Sequence, residues 1–146
     1  MEIRSIIFRG QTRRKGEKIR LDGTPIDSNW VYGGVAQLNE ERAMIYQTEP
    51  DFQKFAVYAD TVGQYTGLTD KNGKMIFEGD IVRRFNSKGQ EVMRYVVEWN
   101  ADCCMFVLMC EDKYLGEYHT DFTVFYGKEV EIIGNIHDNG ELLKGE

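Results

Sequence analysis

Thr61-Val62-Gly63-Gln64-Tyr65-Thr66-Gly67-Leu68-Thr69-Asp70-Lys71-Asn72-Gly73-Lys74-Met75-Ile76-Phe77-Glu78-Gly79-Asp80-Ile81-Val82 is the stretch on which the fold turns. Its apolar residues come in short runs, β-branched or aromatic, with turn residues between them. That is the pattern of strands, not of a helix face. Asn72-Gly73 predicts a two-residue hairpin between flanks at 66–69 and 75–77. Glu78-Gly79-Asp80 predicts a sharp reversal into a strand at 81–83. There Gly79 supplies the backbone freedom, and Asp80 can accept backbone N–H bonds. The front of the stretch, 61–68, reads equally as a turn of helix or a structured loop.

The same punctuation continues on both sides. Upstream, strands are expected at 3–10, 30–38, 43–46 and 55–58, with an Asp22-Gly23 turn and a second turn at Glu49-Pro50-Asp51. The Gly33-Gly34 pair inside one strand predicts a bulge or a close backbone approach. Downstream, 92–99 alternates so that Tyr95, Val97 and Trp99 share one face while Val96 and Glu98 share the other. The run 105–110 is nearly all apolar and reads as a strand buried on both faces. Weaker strands are expected at 114–118 and 124–126. The Glu/apolar alternation of 129–136 predicts a half-buried strand with one wet face.

Several short strands at this spacing predict a mainly β fold with little helix: a small barrel or pseudo-barrel, SH3-like in its C-terminal part. Residues 1–60 would add an N-terminal β layer to a barrel-like part at 61–146, all within a single domain of 1–146. The chain has 146 residues, 42% apolar and 29% charged, which suits one ordinary globular domain with a real core. No apolar run is long enough to span a bilayer, and the one within 1–9 is too short for a secretory signal. A cytoplasmic protein with no membrane contact is therefore expected.

Cysteine usage agrees with that compartment. Cys103, Cys104 and Cys110 are odd in number and two are adjacent, a poor disulfide framework. With His119 and His137 far apart, they also lack the spacing of a zinc set. Cys104 and Cys110 are expected as small core residues on strands. Net charge is −6, yet residues 1–20 alone carry seven Lys or Arg against two Glu. A basic arm on an acidic body suits either nucleic-acid contact through Arg13, Arg14 and Lys15 or a solvated hairpin that resists aggregation. The acidic remainder favours the hairpin.

Four segments stand in a recognisable order: Phe8-Arg9-Gly10, Trp30-Val31-Tyr32-Gly33, the 61–82 run quoted above, and Ile133-Gly134-Asn135-Ile136. Together they resemble the YopX family of phages and prophages of Gram-positive bacteria. The resemblance covers about 3–143, and the central run is its specific part. The material between Gly10 and Trp30, where the family is often shorter, carries most of the basic charge. The resemblance implies a phage or prophage origin and a setting in the host cytoplasm. It implies no reaction, and no catalytic residue is carried over from it.

Candidate site chemistry is correspondingly thin. Tyr65, Asp70, Glu78 and Asp80 could line a ligand groove, although the run reads better as architecture. Glu78 and Asp80 could pair for acid–base work or a metal, but no third ligand or nucleophile stands at a useful spacing. A thiol–imidazole pair of Cys103 or Cys104 with His119 has no supporting signature. Gly63 and Gly67 are not followed by the Lys-Ser or Lys-Thr of a phosphate loop. Expected, then, is a protein without catalytic residues, metal or cofactor, acting through contacts with a protein partner or with itself as a homo-oligomer. The eighteen aromatic residues suit such contacts. The alternative is a small β-barrel that binds nucleic acid, with aromatics stacking on bases.

Overall fold

The computed structural model describes residues 5–16, 28–112, 116–121 and 129–144. The protein is nearly all β and its strand pairings are antiparallel. It comprises two compact units, Met1–Tyr65 and Thr66–Glu146.

In the first unit β1 (Phe8–Arg13), β2 (Asn29–Gln37), β3 (Arg42–Gln47) and β4 (Gln53–Tyr58) pair in chain order. A 3-10 turn at Ala59–Thr61 leads into β5 (Gly63–Thr69), whose start pairs with β1 at Phe8 and Arg9. Side chains alternate between the two faces of these strands. Val31, Ala43, Ile45 and Val57 point inward and make the core, with Phe8, Val35, Phe55, Ala59 and Val62 packed around it. β4 also folds back onto β1. Val57 Cγ2 lies where a Gly10 side chain would begin, 2.8 Å from the position of a Cβ. The Thr61 hydroxyl fixes the same approach: it accepts the Gln11 N–H at 2.8 Å and donates to the Tyr58 carbonyl at 2.6 Å.

In the second unit β5 ends and pairs with β6 (Met75–Phe77), followed by β7 (Asp80–Phe85), β8 (Glu91–Asn100), β9 (Met105–Asp112), β10 (Gly116–Asp121) and β11 (Val130–Asn135). The last five form one sheet in the order β10-β9-β8-β7-β11. Ile76, Val82, Tyr95, Val97, Leu108 and Val130 fill its core. The expected faces of β8 hold, and the second face is covered too, since Val96 and Val107 are buried. The C-terminal 3-10 turn Gly140–Leu143 is held to β8 where Arg94 Nη1 donates to the Leu142 carbonyl at 2.9 Å. At the foot of β7, Gly79 joins three strands: its N–H donates to the Val97 carbonyl and its carbonyl accepts the Ile136 N–H.

Three expectations change. The ambiguous 61–68 segment is the end of a 3-10 turn followed by a strand, because β1 supplies pairing partners that local sequence cannot reveal. The Asn72-Gly73 hairpin has a three-residue loop, closed by the Asp70 N–H to the Lys74 carbonyl, with Gly73 at φ 81° after the turn. Cys104 is not a core residue. It and Cys103 are exposed in the turn 101–104 between β8 and β9, while Cys110 is half-buried against the core. The strand expected at 124–126 lies outside the described residues.

Gly33 tests the close approach predicted for β2. A Cβ there would run into the Tyr46 carbonyl oxygen, whereas one at Gly34 meets nothing within 4 Å. Gly33→Ala should therefore destabilise the protein by about 2 kcal/mol or more, and Gly34→Ala by less than about 0.5 kcal/mol. Thermal or urea unfolding of the two variants measures the contrast.

Candidate functional site

Asp70 directly follows β5 and is 3% exposed. Its Oδ1 accepts the N–H groups of Asn72 at 2.8 Å and Lys74 at 2.9 Å, closing the loop from inside. Its Oδ2 accepts the Ile132 N–H at 3.0 Å, from a residue 62 positions away on β11. Beside it the Lys71 N–H donates to the Val130 carbonyl at 3.0 Å. The β5–β6 loop is thereby tied to the outer side of β11, which gives this unit its pseudo-barrel character. Burial pushes the Asp70 carboxyl up, but the Ile132, Lys74 and Asn72 N–H groups, together with the Lys74 charge, outweigh it and hold the pKa below the ordinary 3.8.

A second loop repeats the geometry and explains the choice of side chain. Asn86 N–H donates to the Gln90 carbonyl, and Asn86 Oδ1 accepts the N–H groups of Lys88 and Gln90. There the other side-chain atom, Nδ2, donates to Gln90 Oε1 at 3.1 Å. Asn86 needs one acceptor and one donor. Asp70 needs two acceptors, because a strand N–H faces its second oxygen.

Asp80 is 2% exposed, and its Oδ2 accepts the Phe77 N–H at 2.8 Å across the β6–β7 turn. Glu78 sits half-buried in that turn. Asp70, Glu78 and Asp80 thus belong to the second unit. Tyr65 is the last residue of the first, where its N–H donates to the Ile7 carbonyl at 2.8 Å. Among the described residues, no group of three or more His, Cys, Asp or Glu could hold a metal ion. His119 lies on β10 opposite Met109.

The basic residues have their own arrangement. Arg14 Nη2 donates to both oxygens of Asp60, at 2.9 and 3.0 Å, on the protein surface. Its guanidinium lies 4.1 Å from the Tyr58 ring centroid, and that of Arg42 lies at the same distance from the same ring. Arg13 ends β1 opposite Asn29, and Lys15 is exposed in the turn that follows. Arg42 was not among the sequence candidates, because only the β3–β4 register sets it opposite Tyr58.

Trp99 and Phe106 are a third feature. They are cross-strand partners on β8 and β9, packed edge to face with centroids 5.1 Å apart, and Trp99 remains 49% exposed. The sequence alternation gives the face of Trp99 but not its exposure. It lies beyond Tyr95 and Val97 on the same row, toward the exposed β8–β9 turn.

The acceptor argument at Asp70 is testable. Asp70→Asn sets an amide or a single acceptor against three N–H groups and should cost about 1.5–3 kcal/mol, whereas Asn86→Asp should cost under about 1 kcal/mol. The pH dependence has a fixed sign. A carboxyl with a lowered folded pKa binds fewer protons folded than unfolded near that value. Its stabilising contribution is complete above the ordinary 3.8 and is lost as pH falls from there through the lower folded value. Denaturation curves between pH 6 and acid should show a shallower acid decline in Asp70→Asn than in the natural protein.

No curated protein matches the chain. Among solved structures, the crystal structure of protein EF1440 from Enterococcus faecalis is similar at 19% sequence identity and a TM-score of 0.46, over 95% of this chain and 98% of that one. The family model described as YopX protein matches residues 14–144. That match spans nearly the whole sequence, both units included, and so the chain belongs to the YopX family.

Proposed function

We propose that this protein is a non-enzymatic phage or prophage accessory protein that works through protein contacts in the cytoplasm of its bacterial host, self-association among them. The observation that carries the reading is the Trp99–Phe106 pair. A tryptophan half open to solvent and braced edge-on by a phenylalanine offers a large contact area that loses little conformational freedom on binding. The use of the Asp70 and Asp80 carboxylates supports it as well, since both accept backbone N–H groups that hold turns in place.

The test is capture from host cells after phage induction, paired with light scattering of the purified protein. A mass above the 16.9 kDa monomer, or a specific co-purifying protein, is expected. Trp99→Ala should lower that association at least about tenfold, the cost of truncating an interface anchor, while the variant stays folded. A strict monomer that captures nothing, or a Trp99→Ala variant that associates unchanged, overturns the reading.

One observation favours a second reading, nucleic-acid binding by the first unit. Arg14 and Arg42 converge on Tyr58, with Arg13 and Lys15 adjacent to Arg14 in the chain. If Arg13, Arg14 and Lys15 each neutralise one phosphate of a single strand, affinity should fall about 20-fold between about 50 and 200 mM salt. Gel retardation with single-stranded oligonucleotides measures it, and no retardation at about 50 mM salt rules it out.

A further inference from the structure

The adjacent thiols Cys103 and Cys104 lie outside everything assigned so far. Both are exposed, on the turn 101–104 that links β8 to β9. The turn is held at two points. Asn100 Oδ1 accepts the Cys103 N–H at 3.0 Å, and the Cys104 thiol donates to the Ala101 carbonyl at 3.4 Å. Cys104 sits at φ 53°, the single non-glycine residue with positive φ among the described residues. Two exposed thiols thus belong to adjacent residues of one turn at the end of a paired hairpin, with the Cys104 thiol resting on the turn's own backbone.

What such a pair can bind follows from its dimensions. Neighbouring Cα atoms across a trans peptide are about 3.8 Å apart, whereas an unstrained disulfide needs about 4.4–6.8 Å. A direct Cys103–Cys104 bond would therefore be strained and readily reduced. A bridging atom removes the conflict. With metal–sulfur bonds of about 2.3 Å on either side, the two sulfurs stand well beyond the disulfide length of about 2.05 Å. Thiolates also select soft, thiophilic centres over hard ones.

We infer that Cys103 and Cys104 form a two-sulfur chelating site for a single thiophilic centre of the trivalent-arsenic class. With an organic arsenoxide the step balances without any oxidant. Two As–S bonds form, the arsenic–oxygen bonds break, both thiol protons leave with the oxygen as one water, and arsenic stays trivalent. Cys110 takes no part, since it packs half-buried against the core of the second unit.

The experiment uses the full chain, reduced, titrated with phenylarsine oxide while free thiols are counted by a chromogenic disulfide under denaturing conditions. One equivalent should protect two of the three thiols. Cys110→Ser should still protect two, and Cys103→Ser and Cys104→Ser should protect none against excess monothiol. A small dithiol should strip the arsenical at a concentration about 100-fold below that of a monothiol, because both sulfurs must be displaced together. Protection that needs Cys110, or that a monothiol removes as easily as a dithiol, overturns the site. Because the readout is thiol protection, it is independent of whether Trp99 anchors a partner.

Discussion

A carboxylate withdrawn from water must be matched by donors, and Asp70 meets that demand with three backbone N–H groups. An uncompensated buried charge costs several kcal/mol, while each hydrogen bond to a charged group returns about 1.5–3 kcal/mol. Three such bonds decide the balance in favour of the charged, buried form. The same bonds make one side chain both the clamp of its own hairpin loop and the link to a strand 62 residues on. The core of the second unit, from Ile76 to Val130, has members on both sides of that link.

The first unit reaches a comparable result by other means. Close packing sews β4 to β1. A missing side chain at Gly10 admits Val57, and a threonine hydroxyl takes up the Gln11 N–H. The outer Arg14–Asp60 pair is exposed, so its Coulomb attraction is screened and adds little. Shape and a neutral hydrogen bond contribute to the closure here, whereas ion solvation contributes to it in the second unit.

What could be read in the sequence follows the range of the interactions. The strands with alternating or all-apolar patterns, 43–46, 55–58, 92–99 and 105–110, are visible because burial imposes a period of two on the chain itself. The Asp70–Lys74 hairpin is visible too, since its turn chemistry is local, although the loop is one residue longer than Asn-Gly suggests. Hidden from sequence were the contacts that depend on register: β1 with β5, Asp70 with Ile132, Arg42 with Tyr58. Cys104 was misread because it abuts the apolar run of β9. The polar Asn100 and Asp102 just before it were the available sign of a turn. Family membership was legible from the 61–82 run, which the structure shows to be dense in turn-forming contacts.

β11 ends its sheet, and a terminal strand ordinarily offers a row of unsatisfied amides to any passing chain. Here two of the outward-facing groups are already occupied: the Ile132 N–H by Asp70 and the Val130 carbonyl by Lys71. The clamp therefore also insulates the sheet. A neighbouring molecule cannot extend the ladder at those two positions without first displacing a loop whose charge would be stranded. On that side, strand-by-strand extension of the sheet is opposed at these two positions.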